Sequence, residues 1–591
     1  IDPGEVPEDT WETSKSKTAT NLNADYQSQV TLSLPASEEE LVSDVVFVLD
    51  ESSCSESVKA SVAEMLDDLY QQIADTDATI KIGAVQFRGE VTTLPLTELN
   101  ETTKDLVTEF MSQRPAIGGS NMSAGLLAGE KMLDADTTVE NNRKYLILVS
   151  DGITYIWDDE TTEQQENYGV NFANADAPNS PMLASPDGWD VKHGNSYVPA
   201  DWSAELTSIA GLMDKTIAEK ASLYDRDNPT AGKHFIAYSE KDAYASTVDI
   251  ALYKSYEAYQ SIASKYQSYV VLAGVKSEMD TYPYGPSFMT YLSNGKNVTF
   301  DEIQKDIYYL LDEGSSVKDV IGYGEDYNFD FINSLDALTL TVGGEELDKE
   351  ELIDPSYTDP YVTSAYGFGA KSDGTYRTYQ FVLNYYEKGE DGQSDECFVW
   401  EINVPVSNFA PVQLTYTVQL TNPKTESGTY GTYDADGSEG YDGLYTNNEA
   451  TLYPVDSNGV PGQAENFYRP TVSYTVGTVS ITPADITIYT GGDGYDSVVN
   501  GSGNEIGTTN NGLPTPGFYI ELPHEVDQAL KEAVGAPLDQ PLDLSKYLTF
   551  TYDDGQGNTR TWHLERYDNK EGNDSMAYNR YIYRILPAEV N

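Results

Sequence analysis

The sequence predicts a multidomain fold, in which a Rossmann-like parallel α/β domain is combined with β-rich domains. At 591 residues the chain is too long for a single hydrophobic core. Between residues 44 and 315, apolar runs alternate with segments of helical periodicity, which is typical of a parallel sheet covered on both faces. From about residue 316 onward, period-two strands separated by Gly, Asp and Pro replace the helices, as in β-sandwiches.

Continuous apolar runs mark the predicted parallel strands at 45–49, 80–85, 145–149 and 269–273. Helical spacing of apolar residues after the first run predicts a helix that carries Val58, Val62, Met65, Leu66, Leu69 and Ile73. Further helices are predicted near 101–112, from Ser120, at 246–265 and around 303–310. Residues 152–240 interrupt this rhythm with Asp, Asn, Pro, Gly and aromatic residues, and they are predicted to form an insertion above the sheet.

The remaining segments are predicted to be extended. Residues 1–43 contain the alternating run 29–34, residues 316–476 contain the alternating run 414–420, and residues 477–591 form a further β-rich unit at the C-terminus. The domain boundaries are therefore placed at 43/44, 315/316 and 476/477.

Charge and cysteine content restrict the possible partners. The chain has 97 acidic and 35 basic residues, a formal charge of −62, so a nucleic acid would be repelled. No apolar run is long enough for a membrane span, and we expect a monomer in solution. Cys54 and Cys397 fall in different predicted domains, which leaves a bridge between them open but excludes a disulfide scaffold.

Three loops with acidic or hydroxyl side chains follow predicted strands or open a predicted helix. They are Asp50-Glu51-Ser52, Gly118-Gly119-Ser120 and Ser150-Asp151-Gly152. Ligands of open α/β sheets bind beyond the carboxyl ends of the strands, so these loops are expected to converge. Carboxylate and hydroxyl oxygens suit a hard divalent cation. Each loop alone is more simply a turn or a helix cap.

The order and context of these loops resemble the metal-ion-dependent adhesion site of von Willebrand factor A-type domains. The resemblance covers about 44–315 and implies that Asp50, Ser52, Ser120 and Asp151 bind Mg²⁺, or Mn²⁺ or Ca²⁺. It further implies that the ion captures an acidic residue of an extracellular host or microbial protein. Cys54 stands where the family has a second Ser, so that ligand position is empty, taken by water, or filled by Ser53 or Ser55.

The ends of the predicted sandwich resemble the Lys and Asn partners of intramolecular isopeptide bonds in Gram-positive pilins and adhesins. The matching residues are Lys17 and either Asn447 or Asn448. The resemblance implies that the A-type domain is inserted into an immunoglobulin-like, Cna-type sandwich built from 1–43 and 316–476. It also implies a location at the bacterial cell surface or cell wall, with any sortase motif beyond residue 591.

Isopeptide chemistry needs a buried, deprotonated Lys and an Asn polarised by a protonated carboxyl group. Asp330 is the candidate acid and Glu401 the reserve. The bond would stabilise the stalk by about 4–5 kcal/mol or more on the chain-entropy model of cross-links. The ordinary interpretation of the same residues is a solvated Lys and an Asn-Asn turn.

Three tryptophans, Trp157, Trp189 and Trp202, lie in the insertion over the predicted metal site. They are candidates for partner specificity, and equally for a small core of the insertion. Three functions remain in view: a metal-dependent adhesin, a metal-free spacer or assembly subunit of a surface fibre, and a hydrolase. The last lacks a nucleophile, base and orienting residue in a recognisable set, so no turnover is expected.

Overall fold

The structure is a computed structural model. It describes residues 12–37, 40–116, 118–157, 171–173, 186–220, 235–295, 298–352, 359–370 and 379–477. Beyond these it describes seven strands and a short helical stretch between residues 487 and 586. Among the described residues, no helix combines the length and the apolar character needed to cross a membrane.

Two strands precede the α/β domain, β1 (Ser16–Ala19) and β2 (Gln27–Leu34). The strands of the α/β domain are β3 (Val42–Asp50), β4 (Thr79–Phe87), β5 (Val91–Glu98), β6 (Lys144–Ser150), β7 (Asn171–Ala173), β8 (Phe235–Ala237) and β9 (Gln267–Leu272). Its helices are α1 (Glu56–Ile73), α2 (Leu106–Phe110), α3 (Met122–Ala135), α4 (Asp187–His193), α5 (Trp202–Lys220), α6 (Thr247–Ala263), α7 (Lys276–Thr281), α8 (Tyr284–Leu292) and α9 (Phe300–Tyr308).

The central sheet of the α/β domain has the strand order β5-β4-β3-β6-β9. Strands β4, β3, β6 and β9 are parallel, and their centres are fully apolar because helices cover both faces. Val45, Phe47 and Leu49 of β3 face α1, α2 and α9, whereas Val46 and Val48 face α3, α6 and α8. The alternating sides of β3 therefore join two separate cores.

Several elements of this domain were not predicted from the sequence, and strand β5 and helix α5 are the most informative of them. Strand β5 makes the sheet mixed, because it runs antiparallel to β4 at the edge. Most side chains of β5 are partly or fully exposed and Pro95 lies inside the strand, as is typical of an edge strand. Its sequence therefore lacks the apolar run by which the other strands were recognised. Helix α5 lies in the insertion, where no helix was predicted, and packs through Leu206 and Ile209 into the core around Trp189.

The strands after the α/β domain are β10 (Tyr309–Leu311), β11 (Ser316–Ile321), β12 (Phe329–Phe331), β13 (Thr339–Val342), β14 (Glu345–Glu346), β15 (Lys349–Glu351), β16 (Ser364–Ala370), β17 (Tyr379–Tyr386), β18 (Cys397–Ile402), β19 (Val406–Ser407), β20 (Val412–Leu420), β21 (Gly428–Asp434), β22 (Leu444–Tyr445), β23 (Asn447–Tyr453), β24 (Glu465–Asn466) and β25 (Thr471–Val476). One sheet has the order β1-β2-β20-β13-β14, with β12 also on β20, and the facing sheet has the order β15-β16-β17-β18-β11-β23-β24. Inward residues such as Leu32, Leu414 and Trp400 share one core between them.

Strand β2 lies beside β20 over its whole length, from Gln27 opposite Gln419 to Leu34 opposite Val412. Strands on both sides of the α/β domain in sequence thus belong to one sheet. At the junction of the two domains, Arg143 Nη2 donates to the Asn408 carbonyl at 2.8 Å, and Asn408 Nδ2 donates to the Ile307 carbonyl at 2.9 Å. These bonds join the end of the α/β domain where β6 begins and α9 ends to the loop between β19 and β20.

The C-terminal strands are β26 (Thr487–Thr490), β27 (Asp496–Val499), β28 (Glu505–Thr509), β29 (Phe518–Glu521), β30 (Thr549–Asp553), β31 (Thr559–Arg566) and β32 (Ile582–Leu586). In the described part of this region they form one antiparallel sheet in the order β28-β27-β26-β29-β32-β31-β30.

Candidate metal centre and cross-link site

The end of β3 places Asp50 at the carboxyl edge of the sheet, with its side chain almost fully buried. Its Oδ1 accepts from the backbone N of Ser52 at 3.1 Å and from the Ser52 hydroxyl at 2.8 Å. Its Oδ2 accepts from the Ser150 hydroxyl at 2.9 Å. Asp50 is therefore held by its own loop and by the end of β6, the neighbouring strand.

Asp151 follows β6 directly and is also buried. Its Oδ1 accepts from the backbone N of Ile153 at 2.9 Å. Gly274, after β9, lies so close that a Cβ there would be 2.5 Å from Cβ of Asp151, which only glycine permits. The ends of β3 and β6 thus meet at this point, as expected from the sequence, and the end of β9 joins them.

Ser120 lies just before α3, and its backbone is fixed to the Asp151 loop. Its carbonyl accepts from the backbone N of Tyr155 at 3.1 Å and from the Thr154 hydroxyl at 3.1 Å. The Ser120 hydroxyl is buried and has no hydrogen-bond partner among the described residues. Burying an unpaired hydroxyl is costly unless a ligand completes it. The helix itself is capped by Asn121, not by Ser120.

The two carboxyl groups are destabilised in their charged forms. Burial raises the pKa of Asp50 to about 6, against the hydrogen bonds from Ser52 and Ser150. Burial, with the nearby charge of Asp50, raises the pKa of Asp151 to about 7. Two buried carboxylates of like charge need a cation to be stable in their ionised forms. The residues present therefore fit a hard divalent ion, with Asp50, Ser52, Ser120 and Asp151 as its oxygen donors.

Cys54 and its serine neighbours are engaged in other contacts. Cys54 donates to the Asp50 carbonyl at 3.3 Å, and burial raises the pKa of its thiol to about 12, so it is no thiolate ligand. Ser53 donates to the Ala273 carbonyl at 2.5 Å, and Ser55 caps α1 by accepting from the Val58 N at 3.4 Å. In this loop geometry neither serine replaces the missing hydroxyl. Both cysteines are free thiols.

Carboxylates alone do not make up the site. Within the described ranges, no group of three or more His, Cys, Asp or Glu side chains is placed to hold a metal. Only two of the four candidate donors are carboxylates, and Ser52 and Ser120 would complete the set. Ser150, to which the sequence interpretation gave no role, and Thr154, which it did not name, hold Asp50 and Ser120 in position.

A second buried polar cluster lies inside the sandwich. Lys17 of β1 is fully buried, and its Nζ makes a short ion pair with Asp319 of β11, on the facing sheet. The Tyr416 hydroxyl donates to the same Asp319 oxygen at 2.7 Å. Burial lowers the pKa of Lys17 despite this pairing, and burial raises the pKa of Asp319. Both shifts favour the neutral pair, an amine beside a carboxylic acid.

Asn447 completes this cluster. It begins β23, is fully buried, and neither its amide nitrogen nor its amide oxygen has a hydrogen-bond partner among the described residues. It pairs with Ile321, two residues after Asp319 on β11, so the two side chains are diagonal neighbours on the inner face. Asn448 is half-exposed, and its side chain accepts from the Tyr323 N at 3.2 Å. The structure thus distinguishes the two asparagines.

The acid beside Lys17 is not one of the two that the sequence suggested. Asp330 on β12 is exposed and accepts from Asn328 at 2.7 Å, and Glu401 on β18 is exposed and accepts from Asn384 at 3.1 Å. Asp319 was missed because it lies within a strand that alternates in and out. The sequence signal that could have identified Asp319 is its position midway between Val317 and Ile321, because residues two apart in a strand face the same side and both of these are buried.

All three tryptophans of the insertion are buried. Trp189 lies in the core that covers one face of the sheet, with Trp202 stacked on it at 6.1 Å between ring centroids. Trp157 belongs to a small cluster with Ile250 and Ala251 of α6. In this conformation these three rings lie in hydrophobic cores, and none of the three offers a face to a partner.

An α/β sheet of this topology, with acidic and hydroxyl residues at its carboxyl edge, is the arrangement expected of an A-type domain. Residues 44–211 match the family model for the von Willebrand factor type A domain, so the chain contains a von Willebrand factor type A domain. No curated protein matches the chain.

Three solved structures of pilus proteins are similar to this chain. The pilus adhesin SpaC of Lactobacillus rhamnosus GG, in its open conformation, is 15% identical with a TM-score of 0.25, over 93% of this chain and 59% of that one. Three N-terminal domains of the type V pili tip protein Mfa5 of Porphyromonas gingivalis are 13% identical with a TM-score of 0.27, over 93% and 92%. The pilus adhesin RrgA of Streptococcus pneumoniae is 11% identical with a TM-score of 0.22, over 98% and 80%. This chain therefore spans less than two thirds of SpaC.

Proposed function

We propose that this chain is a bacterial cell-surface adhesin. Its A-type domain captures an acidic residue of an extracellular host or microbial protein at a divalent cation, Mg²⁺ or else Mn²⁺ or Ca²⁺. The sandwich serves as the stalk. The observation that supports this most strongly is the buried, unpaired hydroxyl of Ser120, whose backbone is bonded to the loop after Asp151, together with two buried carboxyl groups that have raised pKa values.

Metal binding is tested on the full chain with Mn²⁺ by isothermal titration calorimetry, with metal content measured after dialysis. We expect one ion per chain, and a melting temperature of the A-type domain that rises with Mn²⁺ because only the folded state binds. Ser120→Ala and Asp151→Asn should weaken binding at least about tenfold, since each removes a hard oxygen donor or its charge.

Asp280→Asn is the matched control. Asp280 lies on α7, is largely exposed and pairs with Lys276 at 2.9 Å, so its loss should leave metal affinity unchanged. A parent chain that stays metal-free in millimolar Mn²⁺ or Mg²⁺ would contradict the adhesin hypothesis. The result would then favour the metal-free spacer, for which Cys54 in place of a serine is the specific observation.

For the stalk, we infer that Lys17 and Asn447 form an isopeptide bond. Asp319 takes a proton from the Lys17 ammonium, and the neutral Nζ attacks Cγ of Asn447, whose carbonyl the protonated Asp319 polarises. The new amide bond joins Lys17 Nζ to Asn447 Cγ, the bond from Cγ to Nδ2 breaks, and that nitrogen leaves as ammonia. The hydrogen-bonded Tyr416 hydroxyl keeps Asp319 oriented.

Intact-protein mass tests the bond, because forming it releases ammonia and lowers the mass by about 17 Da, whereas a noncovalent contact between the two side chains leaves the mass unchanged. Lys17→Ala, Asn447→Ala and Asp319→Ala should each show their full calculated mass. Lys15→Ala and Asn448→Ala are the matched controls and should keep the deficit, since Lys15 pairs with Glu465 at 2.7 Å and Asn448 faces outward. A full calculated mass for the parent would rule out the bond.

A further inference from the structure

Two arginines flank the loop that carries Asp50 and Ser52. Arg88 follows β4, the strand beside β3, and its Nε lies 3.3 Å from Oε2 of Glu51. Arg114 follows α2, and its Nε lies 3.1 Å from Oε1 of Glu51. One carboxylate thus pairs with two guanidinium groups immediately beside the candidate metal site.

The two arginines differ in how firmly they are held. The Arg88 side chain is 19% exposed, and its Nη1 donates to the Pro115 carbonyl at 2.9 Å. The Arg114 side chain is 66% exposed, so most of its guanidinium faces solvent. Arg88 is a fixed group in the wall of the site, and Arg114 is a group that can turn toward a partner.

The charges around the site are therefore uneven. On the β4 side, two arginines are balanced by Glu51 and by Glu90, whose Oε1 accepts from the backbone N of Ala116, in a chain that has 97 acidic and 35 basic residues. On the far side, α7 follows β9 and carries Lys276, Glu278 and Asp280, of which Lys276 pairs with Asp280. Helix α7 therefore carries one net negative charge.

We propose that Arg88 and Arg114 form a second anion-binding position beside the metal site, and that the partner segment carries two acidic groups. One carboxylate goes to the ion and the other to the guanidinium groups. A planar guanidinium with several donors binds a carboxylate in two hydrogen bonds, and such charge-assisted bonds are stronger than neutral ones. The inference rests on the proposed adhesin function and specifies the chemistry of its ligand as a doubly acidic peptide.

Glu51 is the internal competitor for this position. It satisfies both arginines in the free protein, so a partner carboxylate has to share or replace it. Neutralising Glu51 should therefore strengthen the binding of a doubly acidic ligand. Loss of a structural ion pair would not produce that effect.

The probes are three synthetic glycine-based heptapeptides with blocked ends. One contains a single aspartate, the second has another aspartate two positions away, and the third has a lysine at that second position. Each is titrated into the Mn²⁺-saturated full chain by calorimetry, at low and at high salt. Peptides with the second group placed before or after the first cover both orientations on the site.

We expect the doubly acidic peptide to bind about three- to tenfold more tightly than the singly acidic one, with the lysine peptide weakest. This advantage should shrink at high salt, because the arginine position is partly exposed. Arg114→Gln and Arg88→Gln should each reduce the advantage, and Glu51→Gln should increase it. Lys276→Gln, which removes a basic group on the opposite side, should leave it unchanged.

The outcomes separate this inference from the proposed function. If the parent binds Mn²⁺ and all three peptides bind equally, or if the advantage persists in the Arg88→Gln/Arg114→Gln double variant, the second position is disproved and the adhesion site stands. If Mn²⁺ binds but no peptide does, carboxylate capture and the second position both fail. If Mn²⁺ does not bind, the metal site itself is wrong and the inference falls with it.

Discussion

Cys54 determines how many hard oxygen donors the loop after β3 can offer. Its neutral thiol stands at the position where the family has a second Ser, and Ser53 and Ser55 are bound elsewhere. Cys54→Ser should raise Mn²⁺ affinity about tenfold, because oxygen suits this ion better than a protonated sulfur. The comparison is by calorimetry. Cys54→Ala, which adds no donor, should behave like the parent, and equal gains in both variants would contradict the argument.

Asp44, at the opposite end of β3, makes stability depend on pH. Burial raises its pKa to about 6, although Lys81 lies 3.5 Å from Oδ1. A carboxyl group with a raised folded-state pKa destabilises the domain once it ionises, so this loss develops between about pH 4 and pH 6 and persists above. Asp44→Asn should therefore stabilise the A-type domain at pH 8 by about 1–3 kcal/mol, and should have little effect at pH 4.

Asp136 is the control with the opposite sign. Hydrogen bonds from Lys81 and Thr138 hold the pKa of Asp136 below its usual range, so its contribution is present at neutral pH and is lost as the solution is acidified. Urea unfolding of the A-type domain at several pH values measures Asp44→Asn and Asp136→Asn, and Asp136→Asn should destabilise the domain at neutral pH but not at low pH. Destabilisation of Asp44→Asn at pH 8 would show that the pair with Lys81 outweighs the cost of burial.

At the scale of elements, helix α4 is joined to the start of α6 by Asp249. Asp249 accepts from Lys192 at 2.7 Å and contacts Nε2 of His193 at 2.9 Å, and with Ser246 it forms the capping box of α6. Burial would raise the pKa of Asp249, but Lys192 and His193 outweigh it and the pKa lies below its usual range. The carboxylate therefore stays ionised at neutral pH and holds both helix ends.

Asp249→Ala should release α4, because it leaves Lys192 buried without its partner, which typically costs about 3–5 kcal/mol. Hydrogen exchange should become faster in residues 187–193 and at the first turn of α6, and remain slow in β3 and β6. Asp214→Ala, on the neighbouring α5, is the control. Uniform acceleration across the sheet would mean that the contact supports the whole domain and not α4 alone.

Sequence periodicity was informative where a strand or helix has one uniform environment. The buried strands β3, β4, β6 and β9 are recognisable by their apolar runs, and two of the candidate metal ligands, Asp50 and Asp151, lie where β3 and β6 end. Strand β5 was not predicted, because an edge strand is partly exposed and needs no apolar run. Asp319 was not predicted as part of the site, because its role depends on contact with Lys17, which lies 302 positions away in sequence.

At the scale of the whole molecule, Lys17 and Asn447 bracket the A-type domain and most of the sandwich. A bond between them would carry tension from the N-terminal strand directly to β23. When the chain is pulled by its two ends, the segment between these residues is then outside the path of the force, whatever the stability of the domains within it. Hydrogen-bonded strands alone, without the bond, would have to bear the same load.

Single-molecule pulling from residue 1 to residue 591 distinguishes these cases. With the bond, the roughly 430 residues between Lys17 and Asn447 are not stretched by the applied force. The total extension of the parent should therefore be smaller than that of Lys17→Ala by roughly 150 nm, at about 3.5 Å per extended residue. Lys15→Ala should behave like the parent, because its partner Glu465 lies outside the bracketed segment and the pair is not covalent. Full extension of the parent chain would contradict a load-bearing bond, because a covalent amide does not open at forces that unfold domains.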